Sequence, residues 1–573
     1  ESNPFDTLAE RGGVPARAAY TPRAAVGSGA PTTSVTRSEP DFTMMLPPRP
    51  RPRVDATARA APRGLLTVHI VEARKLALSP ASRPSVVVQF DQNEYIGDEP
   101  RTCDGGVATW DSAVTFDVMA SSIVCVCVYD RENGADGLFG TCELRPRLVH
   151  RGTSDQWYAL VRGDSGATVG EIRVQLTYER LAPRKLTAAD FEFLKLIGRG
   201  TFGRVFQVRK RDTRRIYAMK VLSKRELALK KEVGHTMGER KILEKSVDCP
   251  FLVSLKFCFQ SEKELFFVTD YKSGGELFWH LQREGRFTEA RARFYAAEIV
   301  LALEHLHKYD IVYRDLKPEN ILLDATGHVA LCDFGLSKPD LGPDQLTTTF
   351  CGTTEYLAPE ILLDESGYSK LVDFWSLGVL LFEMCCGWSP FYAEDTQQMY
   401  RNICFGKIKF PRGTISDDGK QFVKGLLNRN PRHRLGAQRD AADLREHPFF
   451  REIDFDALAR KQIPPLFNPL VESDESVANF DPEFTSSGGS EVRRFNEAAP
   501  APPAGAGAST DDEPLSRSVQ DKFRGFSYTG ASDDADVATR LHAAGLGAGS
   551  AAADDDDDEA EAVTLLSRAT LSP

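Results

Sequence analysis

The sequence lacks two features that would place it in a membrane or outside the cell. No apolar run approaches the ~20 residues that a membrane-spanning helix requires, so no spanning segment is predicted. The eleven cysteines are odd in number and scattered, without metal-type spacing or a preceding signal peptide. This pattern indicates a reducing cytosol. Cys125 and Cys127 occupy alternate positions of one apolar run, as packing thiols do.

The chain also lacks an excess of basic residues. Its 71 Lys and Arg face 82 Asp and Glu, which gives a formal charge of −11. That balance argues against a general nucleic-acid-binding protein, because phosphate backbones attract basic surfaces. The acidic run at 554–559 is typical of a solvated tail. The sequence opens at Glu1 and not at Met, which leaves N-terminal targeting open.

Composition separates an irregular N-terminal segment from a region of short strands. Residues 1–61 are rich in Ala, Pro, Arg and Ser without apolar periodicity, which predicts disorder. The alternating Pro and Arg at 47–53 favour either a solvated linker or a contact with acidic lipid or a partner. Over 62–183, short apolar strands with polar turns predict an all-β sandwich. The predicted strands are Leu65–Val71, Ser85–Phe90, Val114–Val118, Ile123–Tyr129, Trp157–Val161 and Glu171–Tyr178.

The most informative motifs lie in the middle of the chain. The stretch Tyr313–Asn320 reads Tyr-Arg-Asp-Leu-Lys-Pro-Glu-Asn, and Asp333-Phe334-Gly335 follows after a short hairpin. Two Asp, one Asn and one Lys at this spacing suit a site that holds Mg²⁺-nucleotide phosphates beside a hydroxyl nucleophile. Each of these short motifs alone is a weak signal. Their occurrence in this order is hard to explain as coincidence.

A glycine-rich hairpin precedes these motifs. Gly198, Gly200 and Gly203 form a G-x-G-x-x-G pattern, in which missing Cβ atoms let backbone amides approach phosphates. The same pattern occurs in dinucleotide-binding turns, which open a helix. Here strand-forming residues continue at Arg204–Val208, so we predict a strand–turn–strand and reject the dinucleotide reading.

Lys220 is the candidate for gripping those phosphates. It lies in an alternating apolar strand, where a buried ammonium needs a partner. Glu239 is predicted to supply it, from a helix whose Ile242 and Leu243 share the same face. The alternative for Lys220 alone is a snorkelling edge lysine, and the flanking motifs favour the catalytic reading.

Together these motifs carry a family resemblance. Residues 191–450 resemble the Ser/Thr protein kinase fold, with Ala358-Pro359-Glu360 closing the activation segment. The resemblance is to the AGC kinases in particular. Three segments support the resemblance to AGC kinases: the activation segment Thr349–Tyr356, the tail motif Asn479–Phe484 and the hydrophobic motif Phe523–Tyr528. A bilobal α+β kinase fold is therefore expected, in which Arg434 pairs with Glu360.

The flanking segments refine this resemblance. Gly64–Val68 and Trp110–Phe116 resemble a C2 domain, which makes the sandwich C2-like. The residue sequences of Cys351–Glu355 and Met384–Phe391 are similar to those of fungal nutrient-signalling kinases that carry a C2 domain before the kinase domain. Those kinases are related to Akt and the ribosomal-protein S-six kinases and lie downstream of the TOR complex. We expect an AGC tail over 451–529 and a disordered acidic tail over 530–573.

The resemblance implies roles for the motif residues, with ATP and Mg²⁺ as cofactors. Asp315 is expected to act as catalytic base and Lys317 to lie near the γ-phosphate; Thr353 joins the catalytic set with Lys220 and Glu239. Asn320 and Asp333 are expected to bind Mg²⁺. The expected nucleotide-binding residues are Ile197, Gly198, Gly200, Phe202, Gly203, Val205, Ala218, Lys220, Thr269, Asp270, Lys272, Glu276 and Phe480. Thr269 is the expected gatekeeper, and Phe480 either reaches the adenine site or packs the tail.

Three acids indicate the substrate class. In the family, carboxylates at the positions of Glu276, Glu319 and Glu383 face Arg side chains two and three residues before the phospho-acceptor. Bidentate Arg–carboxylate pairing explains a preference for Arg over Lys. We predict phosphorylation of Ser or Thr near an Arg-x-Arg-x-x-Ser/Thr pattern.

The resemblance also implies three regulatory phosphosites. Thr349 is the expected activation-loop site of a phosphoinositide-dependent kinase, where a phosphate would meet Arg314, Lys338 and His235. Ser527 is the second site, with Phe523 and Phe526 docking on the small lobe. Ser516 resembles a tail site dependent on the TOR complex, although the sequence departs from the family pattern at Glu513 and Arg517.

The C2-like domain is expected to dock to a membrane or a protein. Asp130, Glu132 and Asp136 form one acidic loop, but Arg83 stands where Ca²⁺-binding relatives carry Asp. One acidic loop offers too few ligands, so we predict no Ca²⁺ site. The expected location is cytoplasmic, with peripheral association at an internal membrane such as the vacuole. A catalytically silent scaffold is the alternative function, and the presence of every catalytic group argues against it.

Overall fold

The structure is a computed structural model. It describes residues 63–77, 82–119, 123–130, 137–162, 166–182, 184–200, 203–342, 345–364, 366–497 and 515–528. The predictions made for 1–61 and 530–573, and those for Phe202, Glu132 and Asp136, lie outside these residues.

The described part of the N-terminal domain is built from antiparallel strands. They are β1 (Gly64–Arg74), β2 (Pro84–Phe90), β3 (Asn93–Ile96), β4 (Thr102–Asp104), β5 (Val107–Val118), β6 (Val124–Asp130), β7 (Leu138–Leu144), β8 (Gly152–Val161) and β9 (Thr168–Arg180). The order is β3-β2-β6-β7-β8-β9-β1-β5-β4. A single residue pair, Thr141 with Val161, joins β7 to β8 and so links the two layers of the sandwich.

Alternation of apolar and polar residues produces this sandwich. In β1, the buried positions Leu66, Val68 and Ile70 alternate with half-exposed ones. These side chains pack against Trp110 and Phe116 of β5 in one apolar core. The predicted strands all fall here, although β5 begins seven residues earlier than the predicted Val114 and β6 starts at Val124. The sequence interpretation missed β3, β4 and β7.

The next domain has two lobes. The small lobe is an antiparallel sheet in the order β10-β11-β12-β14-β13, with two helices beside it. Its elements are β10 (Phe191–Arg199), β11 (Gly203–Lys210), β12 (Ile216–Ser223), α1 (Lys224–Leu229), α2 (Val233–Lys245), β13 (Leu255–Gln260) and β14 (Glu264–Asp270). The segment after β14 crosses to the large lobe.

The described large lobe is mainly helical. Its elements are β15 (Gly275–Glu276), α3 (Leu277–Glu284), α4 (Glu289–Lys308), β16 (Ile321–Leu323), β17 (Val329–Leu331), α5 (Pro359–Leu363), α6 (Leu371–Cys386), α7 (Thr396–Phe405), α8 (Asp417–Leu426), α9 (Ala441–Arg445) and α10 (Phe455–Ala459). Helix α6 is apolar on nearly every face and buried along almost its whole length, as expected of a central helix. The predicted Arg434–Glu360 pair is confirmed, with two buried contacts of 2.6 and 2.8 Å.

The tail returns from the large lobe to the small lobe. It contains α11 (Pro482–Ser487), α12 (Gly489–Asn496) and α13 (Arg517–Asp521). The predicted fold class, an all-β sandwich followed by a two-lobed α+β domain and a tail, is confirmed. Among the helices that the structure describes, none is long and apolar enough to cross a membrane.

Candidate active site

Lys220 lies on β12, and its ammonium contacts two carboxylates from other elements. Its Nζ donates to Oε1 of Glu239 on α2 at 2.8 Å and to Oδ1 of Asp333 at 3.0 Å. Glu239 reaches this position because Ile242 and Leu243 are buried on the same helix face and hold α2 against the lobe. The predicted phosphate-binding lysine, its helix partner and one predicted metal ligand therefore meet.

The charges of this group fix its protonation states. Burial alone would lower the pKa of Lys220, but the carboxylates of Asp333 and Glu239 outweigh it and raise that pKa. The Lys220 ammonium in turn lowers the pKa of Asp333. Lys220 is therefore a cation and Asp333 an anion at neutral pH, which suits phosphate binding and metal binding respectively.

Asp315 is the centre of a closed hydrogen-bond network. Lys317 Nζ donates to Asp315 Oδ2 at 2.7 Å, and Thr353 Oγ1 donates to Asp315 Oδ1 at 3.0 Å. Lys317 also donates to the Thr353 hydroxyl at 2.9 Å, which closes the triangle. The amide nitrogen of Asn320 donates to Asp315 Oδ2 at 2.8 Å, so the amide oxygen of Asn320 is the atom left for a metal.

The buried carboxylate of Asp373 on α6 holds this loop from behind. It accepts hydrogen bonds from the backbone amides of Tyr313 and Arg314 at 2.9 and 2.8 Å, and from His307 Nε2 at 2.9 Å. Arg314 and Asp333 both have left-handed backbone conformations, with φ of +68° and +54°. Such conformations cost about 1–3 kcal/mol and persist where the surroundings hold them. The site is therefore positioned by the core of the large lobe.

The glycine hairpin covers the site as a strand–turn–strand. β10 and β11 pair antiparallel, with Gly198 opposite Val205, and the Gly200 amide donates to the Gly203 carbonyl at 2.9 Å. A Cβ at Gly203 would collide with a backbone oxygen of β12, so glycine is required there. The predicted geometry is confirmed and the dinucleotide-binding alternative is excluded. Phe202, at the tip, lies outside the described residues.

Apolar side chains from this hairpin, β12 and the tail pack together. Ile197, Val205, Ala218 and Phe480 belong to one apolar cluster, although Phe480 comes from the tail. Thr269 on β14 lies directly opposite Ala218 in the sheet register. Four predicted nucleotide contacts are therefore brought together, and the predicted gatekeeper is beside them.

The segment between the lobes, residues 269–272, carries the remaining predicted nucleotide contacts. The ring of Tyr271 stacks on Phe480, with centroids 5.5 Å apart and planes at 15°. Tyr271 also donates its hydroxyl proton to the Ser476 carbonyl at 2.6 Å. Asp270 and Lys272 flank this anchored tyrosine, so the tail fixes the segment from the side of the apolar cluster.

The predicted substrate-recognition acids lie on one side of the large lobe. Glu319 and Glu383 line a cleft of about 920 Å³ together with Glu355 and Trp388. Burial and the nearby charges of Glu319 and Asp481 raise the pKa of Glu276 to about 7. Carboxylates that crowd each other in this way are stabilised by a cation, and a guanidinium satisfies that requirement.

Comparison with known proteins decides the family. The protein kinase domain model matches residues 191–450, the protein kinase C terminal domain model matches 471–528, and the C2 domain model matches 64–160. The serine/threonine-protein kinase gad8 of Schizosaccharomyces pombe is 45% identical over 453 residues, which cover 78% of this chain and 75% of that kinase. The chain belongs to the AGC serine/threonine protein kinases.

Two further relatives also carry the resemblance. The serine/threonine-protein kinase SCH9 of Candida albicans is 53% identical over 450 residues, covering 77% of this chain and 56% of that kinase. The serine/threonine-protein kinase sck1 of Schizosaccharomyces pombe is 55% identical over 430 residues, covering 74% and 60% respectively. The chain therefore spans little more than half the length of these two relatives.

The activation segment of this AGC kinase links Thr349 to the loop that carries Asp315. Thr349 is exposed, and its carbonyl accepts from the Tyr368 hydroxyl at 2.6 Å. Arg314 Nη1 donates to the same Tyr368 hydroxyl at 3.1 Å. Lys338 is exposed nearby in the chain, whereas His235 pairs with Glu232 at 2.6 Å. One predicted phosphate-binding cation is therefore already joined to Thr349 through a tyrosine.

The tail of the kinase docks its two predicted aromatic anchors. Phe523 and Phe526 are fully buried against the small lobe, and Phe526 packs edge-on against Phe267 with centroids 5.0 Å apart. Tyr528 and Cys258 exchange two backbone hydrogen bonds of 2.8 Å, which extends the sheet. Ser527, between Phe526 and Tyr528, is exposed.

Ser516, the third predicted phosphosite, also lies in the described tail. It is exposed and precedes α13 as its N-cap residue. Its Oγ lies 3.0 Å from Ser518 Oγ. The two predicted tail phosphosites, Ser516 and Ser527, come before and after the buried phenylalanines in the sequence, and both residues are exposed.

Several functional residues escaped the sequence analysis. Asp373, which holds the backbone of the loop that carries Asp315, is not among the residues that the sequence motifs single out. Glu355 lines the acidic cleft, and Asp481 contributes charge near Glu276. Asp373 could have been found from the sequence, because it is an acid inside an otherwise apolar helix. An unpaired buried charge is costly, so such an acid is expected to have a partner. The other two carry no local signal.

Proposed function

We propose that the chain transfers the γ-phosphoryl group of ATP to Ser or Thr side chains of proteins. The observation that carries the proposal is the closed network of Asp315, Lys317, Thr353 and Asn320, set beside the Lys220–Glu239–Asp333 group. Phosphoryl transfer needs positioning and charge stabilisation more than covalent chemistry, and these groups supply both.

Asp315 is the group that orients the acceptor hydroxyl and receives its proton. Thr353 and Lys317 fix the Asp315 carboxylate through contacts of 3.0 and 2.7 Å, so it cannot rotate away from an approaching hydroxyl. The Lys317 ammonium also provides positive charge where the transferring group gains negative charge. Lys220 holds the phosphates that remain behind.

The oxygen donors of the site fit Mg²⁺. Asp333 is ionised because Lys220 lowers its pKa, and Asn320 has its amide oxygen available, so both offer the hard ligands that Mg²⁺ prefers. Mg²⁺ supplies neutralisation of phosphate charge when bound. The apolar cluster of Ile197, Val205 and Ala218 fits the adenine ring of ATP.

Segments that carry Arg before the phospho-acceptor are the proposed substrates. The raised pKa of Glu276, about 7, and the acidic cleft of Glu319 and Glu383 support this, since crowded carboxylates favour guanidinium groups. A positional-scanning peptide array is expected to show selection for Arg at two and three residues before Ser or Thr. An array without Arg preference would contradict the substrate class and leave the reaction itself intact.

Regulation is proposed to act through the exposed sites Thr349, Ser527 and Ser516. A phosphate on Thr349 would meet Arg314, which already contacts the Tyr368 hydroxyl bonded to Thr349. We infer a phosphoinositide-dependent kinase for Thr349 and the TOR complex for the tail sites. We further propose that the chain acts in nutrient signalling, in the cytoplasm or peripherally at an internal membrane such as the vacuole, with the C2 domain as a docking module.

Radiolabelled phosphate transfer from Mg-ATP to an Arg-x-Arg-x-x-Ser peptide tests the function. We expect the intact chain to transfer phosphate, Asp315→Asn to abolish transfer, and Thr349→Ala to reduce it greatly. Asp310→Asn, an acid outside the network in the same region, is the matched control and should retain activity. Absence of transfer after phosphorylation of Thr349 and Ser527 would instead favour a catalytically silent scaffold.

A further inference from the structure

The C2 domain contacts the kinase domain through the tip of one hairpin. β2 and β3 are joined by the two residues Asp91 and Gln92, with Phe90 paired to Asn93 across the turn. Both turn residues have positive φ, +50° for Asp91 and +62° for Gln92. Two positive φ values are typical of a tight type I′ hairpin, which usually selects Asn, Asp or Gly. Glutamine is unfavourable at such a position, so contacts outside the hairpin must offset the backbone cost at Gln92.

Gln92 makes three hydrogen bonds, and all of them go to the kinase domain. Its side-chain nitrogen donates to the carbonyls of Val247 and Cys249 at 3.3 and 3.0 Å, in the segment that follows α2. Its own carbonyl accepts from Lys272 Nζ at 3.0 Å. The strained turn is therefore held by the segment between the lobes and by the segment that follows the helix carrying Glu239.

Asp91 is connected to the same interlobe segment through a buried chain of charges. Lys256 Nζ lies 3.1 Å from Asp91 Oδ2 and 3.4 Å from Asp270 Oδ1. The side chains of all three residues are at most 5% exposed. Ser254 Oγ donates to the other oxygen of Asp270 at 2.6 Å. A carboxylate of the C2 domain thus helps to set where Asp270 lies.

The interlobe segment is consequently held from two directions. The tail holds Tyr271 through Phe480 and Ser476. The hairpin holds the neighbouring residues Asp270 and Lys272 through Asp91 and Gln92. Asp270 and Lys272 are among the expected nucleotide-binding residues, so their placement affects the geometry of nucleotide binding.

We propose that Asp91 and Gln92 of the C2 domain are positioning residues for ATP, which act by holding the interlobe segment in its nucleotide-binding geometry. The inference rests on the proposed phosphoryl transfer from ATP. It makes the C2 domain a structural part of the nucleotide site, in addition to any docking role on its other surfaces.

Steady-state kinetics of the intact chain test this inference. Asp91→Ala breaks the charge chain, and Gln92→Gly removes the two side-chain bonds while relaxing the backbone, so the second variant keeps a foldable turn. Asp155→Ala, which removes an exposed pair with Arg173 in the same domain, is the control. We expect KM for ATP to rise roughly three- to tenfold in both hairpin variants, with kcat and the peptide KM within about twofold of the unmodified chain.

KM does not depend on the fraction of active enzyme, so partial misfolding cannot imitate the expected result. An unchanged KM for ATP in both variants, or a fall in kcat alone, would overturn the inference. So would an equal KM shift in Asp155→Ala. If the unmodified chain transfers no phosphate, the proposed function fails separately, and competition with a fluorescent ATP analogue then decides the inference by the same fold-changes in Kd.

Discussion

At the residue scale, His307 is the side chain that pairs with the completely buried carboxylate of Asp373. His307 lies between Asp373 and Asp440, and its two ring nitrogens contact one carboxylate each at 2.9 Å. Burial opposes protonation of His307, but the two carboxylates outweigh it and raise its pKa to about 9. The imidazolium compensates the buried charge that holds the backbone of Tyr313 and Arg314.

This raised pKa makes stability depend on pH in a defined window. Stability from His307 is fully present below its ordinary pKa of about 6.5 and is lost as the pH rises through about 9, an effect on the order of 3 kcal/mol. We expect the thermal unfolding midpoint to fall across this range, and to fall less in His307→Gln. His305→Gln on the same helix is the control. A variant with the same pH slope as the unmodified chain would contradict the role of His307.

At the element scale, the tail segment 515–528 behaves as an added edge of the small lobe. The two backbone bonds between Tyr528 and Cys258 attach it to β13, and the buried rings of Phe523 and Phe526 pack beside α1 and β14. Lys224 Nζ lies 5.4 Å from the centre of the Phe523 ring and donates to Gln520 at 2.8 Å. Ring burial and edge pairing therefore support each other in this segment.

Removing one ring should release the segment. Phe526→Ala is expected to cost about 3–5 kcal/mol of local docking free energy, because a fully buried ring leaves a cavity. Hydrogen–deuterium exchange should show faster exchange at 515–528 and along β13, with lower kcat. Phe405→Ala, whose ring on α7 is 69% exposed, is the matched control. Unchanged protection of the Cys258 amide would show that the edge pairing does not need the ring.

These elements also show what the sequence could predict. Patterns of apolar alternation located the longer strands, and ordered motifs located Lys220, Asp315, Asn320 and Asp333. The missed strand β7 contains Gly140 and alternates weakly, so its place in the sheet follows from its pairing with β6 and not from its own sequence pattern. Lys256 and Asp91 are 165 residues apart, and nothing local to either predicts a partner in another domain.

At the scale of the whole molecule, the C2 domain, both lobes and the tail share one set of contacts. Arg215, immediately before β12, donates to the Glu94 carbonyl of the C2 domain at 3.2 Å and to Asp474 of the tail at 2.8 Å. The carboxylate of Glu94 accepts from the Ala325 amide of the large lobe at 2.9 Å. The domains therefore meet through buried polar groups, which tolerate misalignment poorly.

Glu94 should make this junction sensitive to pH. Burial and the charge of Asp324 raise its pKa from 4.5 to about 7, against the opposing charges of Lys272 and Lys461. The folded state therefore holds a proton that the unfolded chain has lost, so stability falls as the pH rises from about 4.5 to about 7 and stays level above it. The fall is on the order of 3 kcal/mol.

The variant Glu94→Gln keeps the shape of the protonated side chain and can still accept from Ala325 and bond to Gln89. We expect its thermal midpoint to exceed that of the unmodified chain at pH 8 and to match it at pH 5, because only the ionised carboxylate is penalised. Glu99→Gln, an exposed glutamate of the same domain, should change neither value. Equal pH slopes in Glu94→Gln and the unmodified chain would mean that Glu94 is ionised throughout and is stabilised by Lys272 and Lys461. The junction would then be an ion-pair network, and the stability of the protein would depend on salt concentration there and not on pH.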